Sequence, residues 1–251
     1  MCYYNSINIQ KGKLIKLAKV QKELKNFNLV KGVASGFEYG NWPILKPTEG
    51  GKDFEVALAH WELIPSWINN TAELAESRNK FTTLNATSEK LLESRLYKDA
   101  ALKRRCLVLS SGFYEWQHYK PEGSKKDIAY PYFINLPTQD YFFMAGIYQP
   151  WVDKSTGETI DSFSIITTKA NSLMAAVHNK KQRMPTLLTE ELAYEWMQEG
   201  LSEKNIQALA SFQYPANEMQ AVTIKKDFRT SIDPTESYNY AELPAVIEAL
   251  K

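Results

Sequence analysis

A chain of 251 residues with 44% apolar and 24% charged residues has a globular composition, which excludes disordered, collagenous and disulfide-stapled classes. Thirty Lys and Arg against 29 Asp and Glu leave a formal charge of +1. Bulk charge therefore selects neither a nucleic acid nor a membrane, and any polyanion site must come from local clustering of basic side chains. Two cysteines, Cys2 and Cys106, cannot build a disulfide framework and fit a reducing compartment. The amino-terminal segment holds no continuous apolar run of the kind a secretory signal needs, and no stretch approaches the ~18 apolar residues that span a bilayer. A soluble, cytoplasmic protein without a membrane partner is expected.

In chain order, Leu14, Leu17, Ala18 and Leu24 among lysines predict an amphipathic helix over residues 12–26. Residues 32–52, rich in Gly and Pro, predict turns and short extended pieces. Short apolar or aromatic runs at 106–109, 113–116, 131–136, 141–148 and 162–167 predict strands. Helices are predicted over 189–199, opened by Thr189 as N-cap with Glu190 and Glu191 in the first turn, and again over 202–211 and 241–250. Strands crowd the middle without βαβ alternation, so the expected class is α+β. No linker divides the chain, and residues 1–251 are expected to form one domain.

Cys2 is the first residue with unusual chemistry. Methionine aminopeptidases remove Met1 when the second residue is small, so the mature chain is expected to begin with Cys2. A free amino-terminal cysteine is a 1,2-aminothiol, whose amine titrates near ~7.7–8.0 and thiol near ~8.5. With an aldehyde it forms an imine, which the thiol closes to a five-membered thiazolidine. The plainer reading is a small apolar residue at the start of a buried strand.

Three further residues are ordinary one at a time. Glu115, within Gly112-Phe113-Tyr114-Glu115-Trp116, either faces solvent or is buried, and burial would raise its pKa towards neutrality. Asn85, in Leu84-Asn85-Ala86-Thr87-Ser88-Glu89, could equally be a helix N-cap. His178 is one of three histidines, a catalytic or a structural imidazole. No Walker, Rossmann or zinc-ligand spacing is present, so neither a metal nor another cofactor is expected.

A wider set of motifs joins these residues. Met1-Cys2, Trp61-Glu62-Leu63-Ile64-Pro65-Ser66-Trp67, Asn85-Ala86-Thr87-Ser88-Glu89, Arg105-Cys106-Leu107-Val108, Gly112-Phe113-Tyr114-Glu115-Trp116, Thr167-Thr168-Lys169-Ala170-Asn171 and His178 followed by Arg183-Met184-Pro185 closely resemble the SRAP (SOS response-associated peptidase) family. They run in family order from residue 2 to about residue 188. The resemblance implies a barrel-like core of mostly antiparallel strands with peripheral helices. It also implies a sensor of abasic sites in single-stranded DNA that traps them as a thiazolidine on the amino-terminal cysteine.

By the same resemblance, Cys2 would be the nucleophile and crosslinking residue, and Asn85 would hold the amino terminus or the opened sugar. Glu115 would move protons at the sugar hydroxyl and Schiff base. His178 would act in β-elimination and in crosslink reversal. Trp61, Trp67, Thr87, Arg95 and Arg183 fall where relatives contact DNA. Three departures stand out: Thr87 replaces a usual arginine, Glu62 replaces a glycine, and Asn179-Lys180-Lys181-Gln182 lengthens the segment between His178 and Arg183.

The basic groups Lys103-Arg104-Arg105, Lys180-Lys181-Arg183 and Lys225-Lys226 are either solvated surface or parts of a strand-binding groove. Six Trp, 14 Tyr and 11 Phe could supply stacking faces beside it. The implied partner is single-stranded DNA containing abasic sites, bound by a monomer. Two other functions compete. One is a thiol peptidase built from Cys2, His178 and Asn85 that acts on its own amino terminus. The other is a non-catalytic single-strand binding module.

Overall fold

The computed structural model describes residues 2–10, 13–23, 29–51, 53–244 and 246. The amino-terminal part supplies β1 (Tyr4–Ile9), β2 (Leu14–Leu17), β3 (Val20–Glu23), β4 (Leu29–Ser35), β5 (Asn41–Pro47), β6 (Phe54–Trp61), α1 (Thr71–Arg78) and β7 (Asn85–Thr87). The central part supplies α2 (Lys98–Lys103), β8 (Arg105–Ser110), β9 (Gly112–Tyr119), β10 (Ile128–Asn135), β11 (Phe142–Val152) and β12 (Thr159–Lys169). There follow α3 (Ser172–Val177), β13 (Arg183–Pro185), β14 (Leu187–Leu188), α4 (Glu190–Trp196), α5 (Glu203–Ala210) and β15 (Gln220–Thr223).

Strands β12, β6, β5, β8 and β11 pair in that order, and β11 pairs back to β12, which closes a five-stranded barrel. All its pairings are antiparallel except β12 with β6. Short β7 adds to β12 in parallel, while β13 and β14 extend the sheet. A second, antiparallel sheet runs β15, β10, β9, β1, β4. The α+β class with a barrel core and peripheral helices is therefore observed. No helix among the described residues is long and apolar enough to cross a membrane.

The strands predicted in the middle of the chain are present as β8 to β12, because β-branched and aromatic runs there are covered on both faces. Helices α4 and α5 form where predicted, with Thr189 and Ser202 accepting from the N–H groups of Leu192 and Asn205.

The helix predicted over 12–26 is instead a hairpin of β2 and β3. Ile15 and Leu17 are buried while Leu14 and Lys16 are exposed, so the operative period is two. Ala18, at φ 53°, reverses the chain between the strands. Leu24, counted in that helix, lies outside the described residues. Of the helix predicted over 241–250, residues 241–243 form a turn and most of the remainder is outside the described residues.

Two connections place the chemistry. Between β8 and β9 the chain turns within Ser110-Ser111-Gly112, where a Cβ on Gly112 would lie 2.2 Å from the Phe133 ring. Only glycine lets β9 enter so close to β10. Side chains then alternate along β9: Phe113 belongs to the main core, and Tyr114 to a separate cluster with Phe133, Ile224 and Phe228. Glu115, two residues after Phe113, is thereby turned to the main-core face. The second connection follows β12, where Asn171 caps α3 by accepting from Met174 N–H at 2.9 Å. That cap fixes the start of a six-residue helix whose C-cap is His178.

Candidate active site

Strand β1 and the end of α3 both reach β9, bringing Cys2, Glu115 and His178 together. Cys2 is fully buried and Glu115 is 4% exposed. His178 Nε2 lies 3.7 Å from Glu115 Oε2. The other imidazole nitrogen, Nδ1, is 2.8 Å from the Arg183 carbonyl oxygen and donates to it, which leaves the Nε2 lone pair facing the carboxyl group. The β9 register sets Glu115 opposite Tyr132 on β10, and β1 pairs on the other side with Tyr4 opposite Tyr114.

Burial dominates the electrostatics. Desolvation raises Glu115 to about 7, against the opposing pull of the positive amino terminus and Lys181. Desolvation lowers His178 to about 4, helped by the amino terminus, Lys181 and His118 and opposed by the bond to Arg183. Burial and then the nearby Glu115 charge push the Cys2 thiol far up. At neutral pH the thiol is protonated, the imidazole is neutral, and the carboxyl group is divided between its two forms. His178 therefore does not titrate near 6.5, as an exposed imidazole would, and is uncharged at neutral pH.

Asn85 is buried in β7, and neither amide atom of its side chain has a hydrogen-bond partner among the described residues. A covered carboxamide so left is costly unless something else bonds it. It is a strand residue, not an N-cap; Thr87 precedes the 3₁₀ turn Ser88–Lys90 and gives it no side-chain bond. The Tyr97 hydroxyl donates to the Asn85 carbonyl oxygen at 3.4 Å. Desolvation and then the neighbouring Tyr3 raise the Tyr97 phenol to about 12, while desolvation and Glu115 raise Tyr3. Two tyrosines not selected from the sequence thus touch on the site, Tyr97 through its bond to the Asn85 carbonyl and Tyr3 through the charge of Glu115.

The residues predicted to touch DNA divide. Trp67 is 54% exposed, and it lines a depression of about 400 Å³ together with Arg95, Arg104 and Gln149. A free indole face and a cation that makes no ion pair among the described residues are the elements of a single-strand platform. Trp61 is a correction. It is buried between Trp42 and Phe163, with Nε1 donating to Leu84 O at 3.1 Å, and so offers no face to a base.

Arg183 is engaged within the protein, its guanidinium bonded to Glu89 at 2.5 Å and to Thr167 O at 2.6 Å. Its backbone carbonyl, rather than its charge, meets His178. Thr87 pairs in register with Thr167 and adds no cation.

The other basic groups are mostly occupied. Arg105 is buried and donates to the carbonyls of Trp196, Ala101, Leu102 and Gln198. Lys103 and Arg104 pair with Asp99, and Lys225 with Glu236. Glu62, read from sequence as an acid near a polyanion path, is buried under a forked bond from Arg78 at 2.7 and 3.0 Å, with His60 Nε2 at 3.3 Å. Arg78 in turn lies 3.7 Å over the Tyr39 ring. The acid is neutralised internally and binds α1 to the loop that follows β6.

A closed small barrel, with a buried thiol, carboxyl and imidazole gathered where the adjoining sheet meets the end of α3, defines the class to which the chain is assigned. The chain belongs to the SOS response associated peptidase (SRAP) family, whose model matches residues 2–231. It is 33% identical over 161 residues to abasic site processing protein HMCES of Xenopus tropicalis, a match covering 58% of this chain and 45% of that protein. It is 28% identical to abasic site processing protein YoqW of Bacillus subtilis, covering 72% and 74%. A crystal structure of a Bacteroides thetaiotaomicron protein superposes with a TM-score of 0.76 at 31% identity, covering 94% of this chain and 97% of that one. A Bordetella bronchiseptica structure at 20% identity and a TM-score of 0.70 shares the fold.

Proposed function

We propose that this protein processes abasic sites in single-stranded DNA by forming a thiazolidine with its amino-terminal cysteine, once Met1 is removed. The observation that carries this reading is the burial of Cys2 within the field of Glu115, itself 3.7 Å from His178. The names of the relatives, abasic site processing proteins, support it.

An abasic sugar is a hemiacetal that must open to its aldehyde. Glu115, divided between acid and carboxylate near pH 7, can donate a proton to the ring oxygen and later accept one. The α-amine then adds to the aldehyde carbon, and loss of water leaves the imine. The thiol sulfur adds to the imine carbon as the C=N bond becomes C–N, and the thiol proton ends on nitrogen. Because burial holds the thiol protonated, this step needs a local acceptor, a task for Glu115. His178 Nε2, neutral at this pH, is suited to take the sugar C2′ proton in β-elimination and to exchange protons during ring reopening. Asn85, with neither amide atom hydrogen-bonded among the described residues, is suited to hold the opened sugar's hydroxyl groups. Trp67 and Arg95 would hold the flanking strand.

The peptidase reading demands a thiolate paired with imidazole. Here the imidazole faces a carboxyl group and burial opposes the thiolate, so we confine any peptidase act to the protein's own amino terminus. The test is incubation with a single strand carrying one abasic site, followed by denaturing electrophoresis. A heat-stable slower band with that strand, absent with an undamaged one, is expected; no band over hours at neutral pH would overturn the reading.

A further inference from the structure

We propose that the turn after α3, residues 179–182, is a phosphate-binding element: Lys181 contacts a phosphodiester of the DNA strand lying over Cys2, and Asn179 fixes the turn to β9. The inference rests on the single-strand reading above and assigns part of its substrate contact.

The turn is built rigidly. Gln182 N–H donates to His178 O at 2.8 Å and Lys181 N–H to the same oxygen at 3.3 Å. Gln182 sits at φ 49°, a left-handed conformation that a glutamine holds only when its surroundings impose it. The Asn179 carboxamide imitates a strand partner, accepting from His118 N–H at 3.0 Å and donating to His118 O at 2.7 Å. His118 is three residues beyond Glu115 on β9, so the clamp ties the turn to the strand that carries the carboxyl group.

Within the turn and its flanks at 180–183, the charges single out one cation. Lys180 is paired with Asp127 at 3.2 Å. Arg183 is held by Glu89 and Thr167, and position 87 is a threonine. Lys181 is exposed and has no acidic partner among the described residues. Its backbone N–H bonds the His178 carbonyl at 3.3 Å, which keeps the residue beside the imidazole, and its charge acts on both His178 and Glu115. An uncompensated cation on a clamped turn beside the reacting groups is a site for the backbone phosphate of the bound strand.

The test is non-covalent binding of an undamaged single-stranded oligonucleotide to the full chain across a salt series, so that no crosslink intervenes. Lys181→Ala is expected to make the log–log slope shallower by about 0.7, the value for one phosphate contact, and Lys181→Arg to restore it. Asn179→Ala is expected to weaken binding about 2–10-fold at low salt, the scale of one or two hydrogen bonds. A wild-type slope in Lys181→Ala would overturn the phosphate contact, and wild-type affinity in Asn179→Ala would overturn the clamp. A flat salt response of the unsubstituted chain would instead overturn the DNA reading itself.

Discussion

The 3.7 Å approach of His178 Nε2 to Glu115 Oε2 joins two groups driven to neutrality from opposite directions, the carboxyl group up to about 7 and the imidazole down to about 4. Because Nδ1–H donates to the Arg183 carbonyl oxygen, Nε2 is the imidazole nitrogen directed at the acid. Near neutral pH such a pair can pass a proton either way without burying a lasting charge, which a full ion pair at this depth would require.

Substitution of this pair is expected to reverse the pH dependence of stability. Glu115 has its folded pKa above the unfolded value of 4.5, so its contribution is fully present below 4.5 and is lost as pH rises through 7. His178 has its folded pKa below 6.5, so its contribution is present above 6.5 and is lost as pH falls through 4. Between about 4.5 and 6.5 the two slopes oppose each other. His178→Ala should leave stability falling with pH by at most about 1.4 kcal/mol per unit across 4.5–7, and Glu115→Gln should leave it rising across 4–6.5. Urea midpoints at half-unit pH steps read this directly, and parallel profiles for the two variants would refute the assignments.

The same two residues should separate in kinetics. Glu115→Gln is expected to slow crosslink formation without preventing it, because buffer can move the same protons. His178→Ala should leave formation largely intact and slow strand scission and release by about 10²–10⁴-fold, the range for a lost general acid–base group. A time course of adduct formation, followed by a chase with competing abasic DNA, distinguishes them; equal effects on both phases would show one shared function.

Glu62 and Arg78 should behave as a buried pair. Arg78→Ala strands a carboxylate that is almost fully covered and is expected to cost about 3 kcal/mol. Glu62→Gln combined with Arg78→Met removes both charges and should recover much of that loss. Denaturant unfolding of the single and double variants measures the coupling, and additive losses would contradict a direct interaction.

The two tryptophans of one sequence motif should part company. Trp67→Ala is expected to leave the fold intact and weaken single-strand binding by about 1–3 kcal/mol, the scale of one stacked base. Trp61→Ala should instead destabilise the protein by about 3–5 kcal/mol, because its ring fills the core between Trp42 and Phe163. Binding and unfolding measured on both variants would expose an exchange of these outcomes.

Much of this is legible in the sequence. The central strands were visible because β8 to β12 are made of β-branched and aromatic runs between turn residues, and α4 because Thr189 stands before two glutamates. The β2–β3 hairpin is not, since Leu14, Leu17 and Ala18 fit a helical period while Ile15 and Leu17 fit an alternating one, and only the packing of Ile15 and Leu17 into the core decides. At the site, Cys2, Glu115 and His178 could be chosen by residue type and motif. Their mutual placement depends on long-range pairing of β1 with β9 and on the docking of α3. The depression of the His178 pKa, the neutralisation of Glu62 and the occupation of Arg183 by Glu89 all arise from residues distant in sequence, and composition carries no trace of them.

The central claim is that the aminothiol of Cys2 is what captures the abasic aldehyde. Intact-mass measurement and peptide mapping, after incubation with a single-stranded oligonucleotide bearing one abasic site, test it most directly. The expected result is a stoichiometric adduct of protein plus oligonucleotide minus one water, mapped to the peptide beginning at Cys2 and lost as a heat-stable species in Cys2→Ser. An equally stable adduct in Cys2→Ser, or one mapped to a lysine, would contradict the claim.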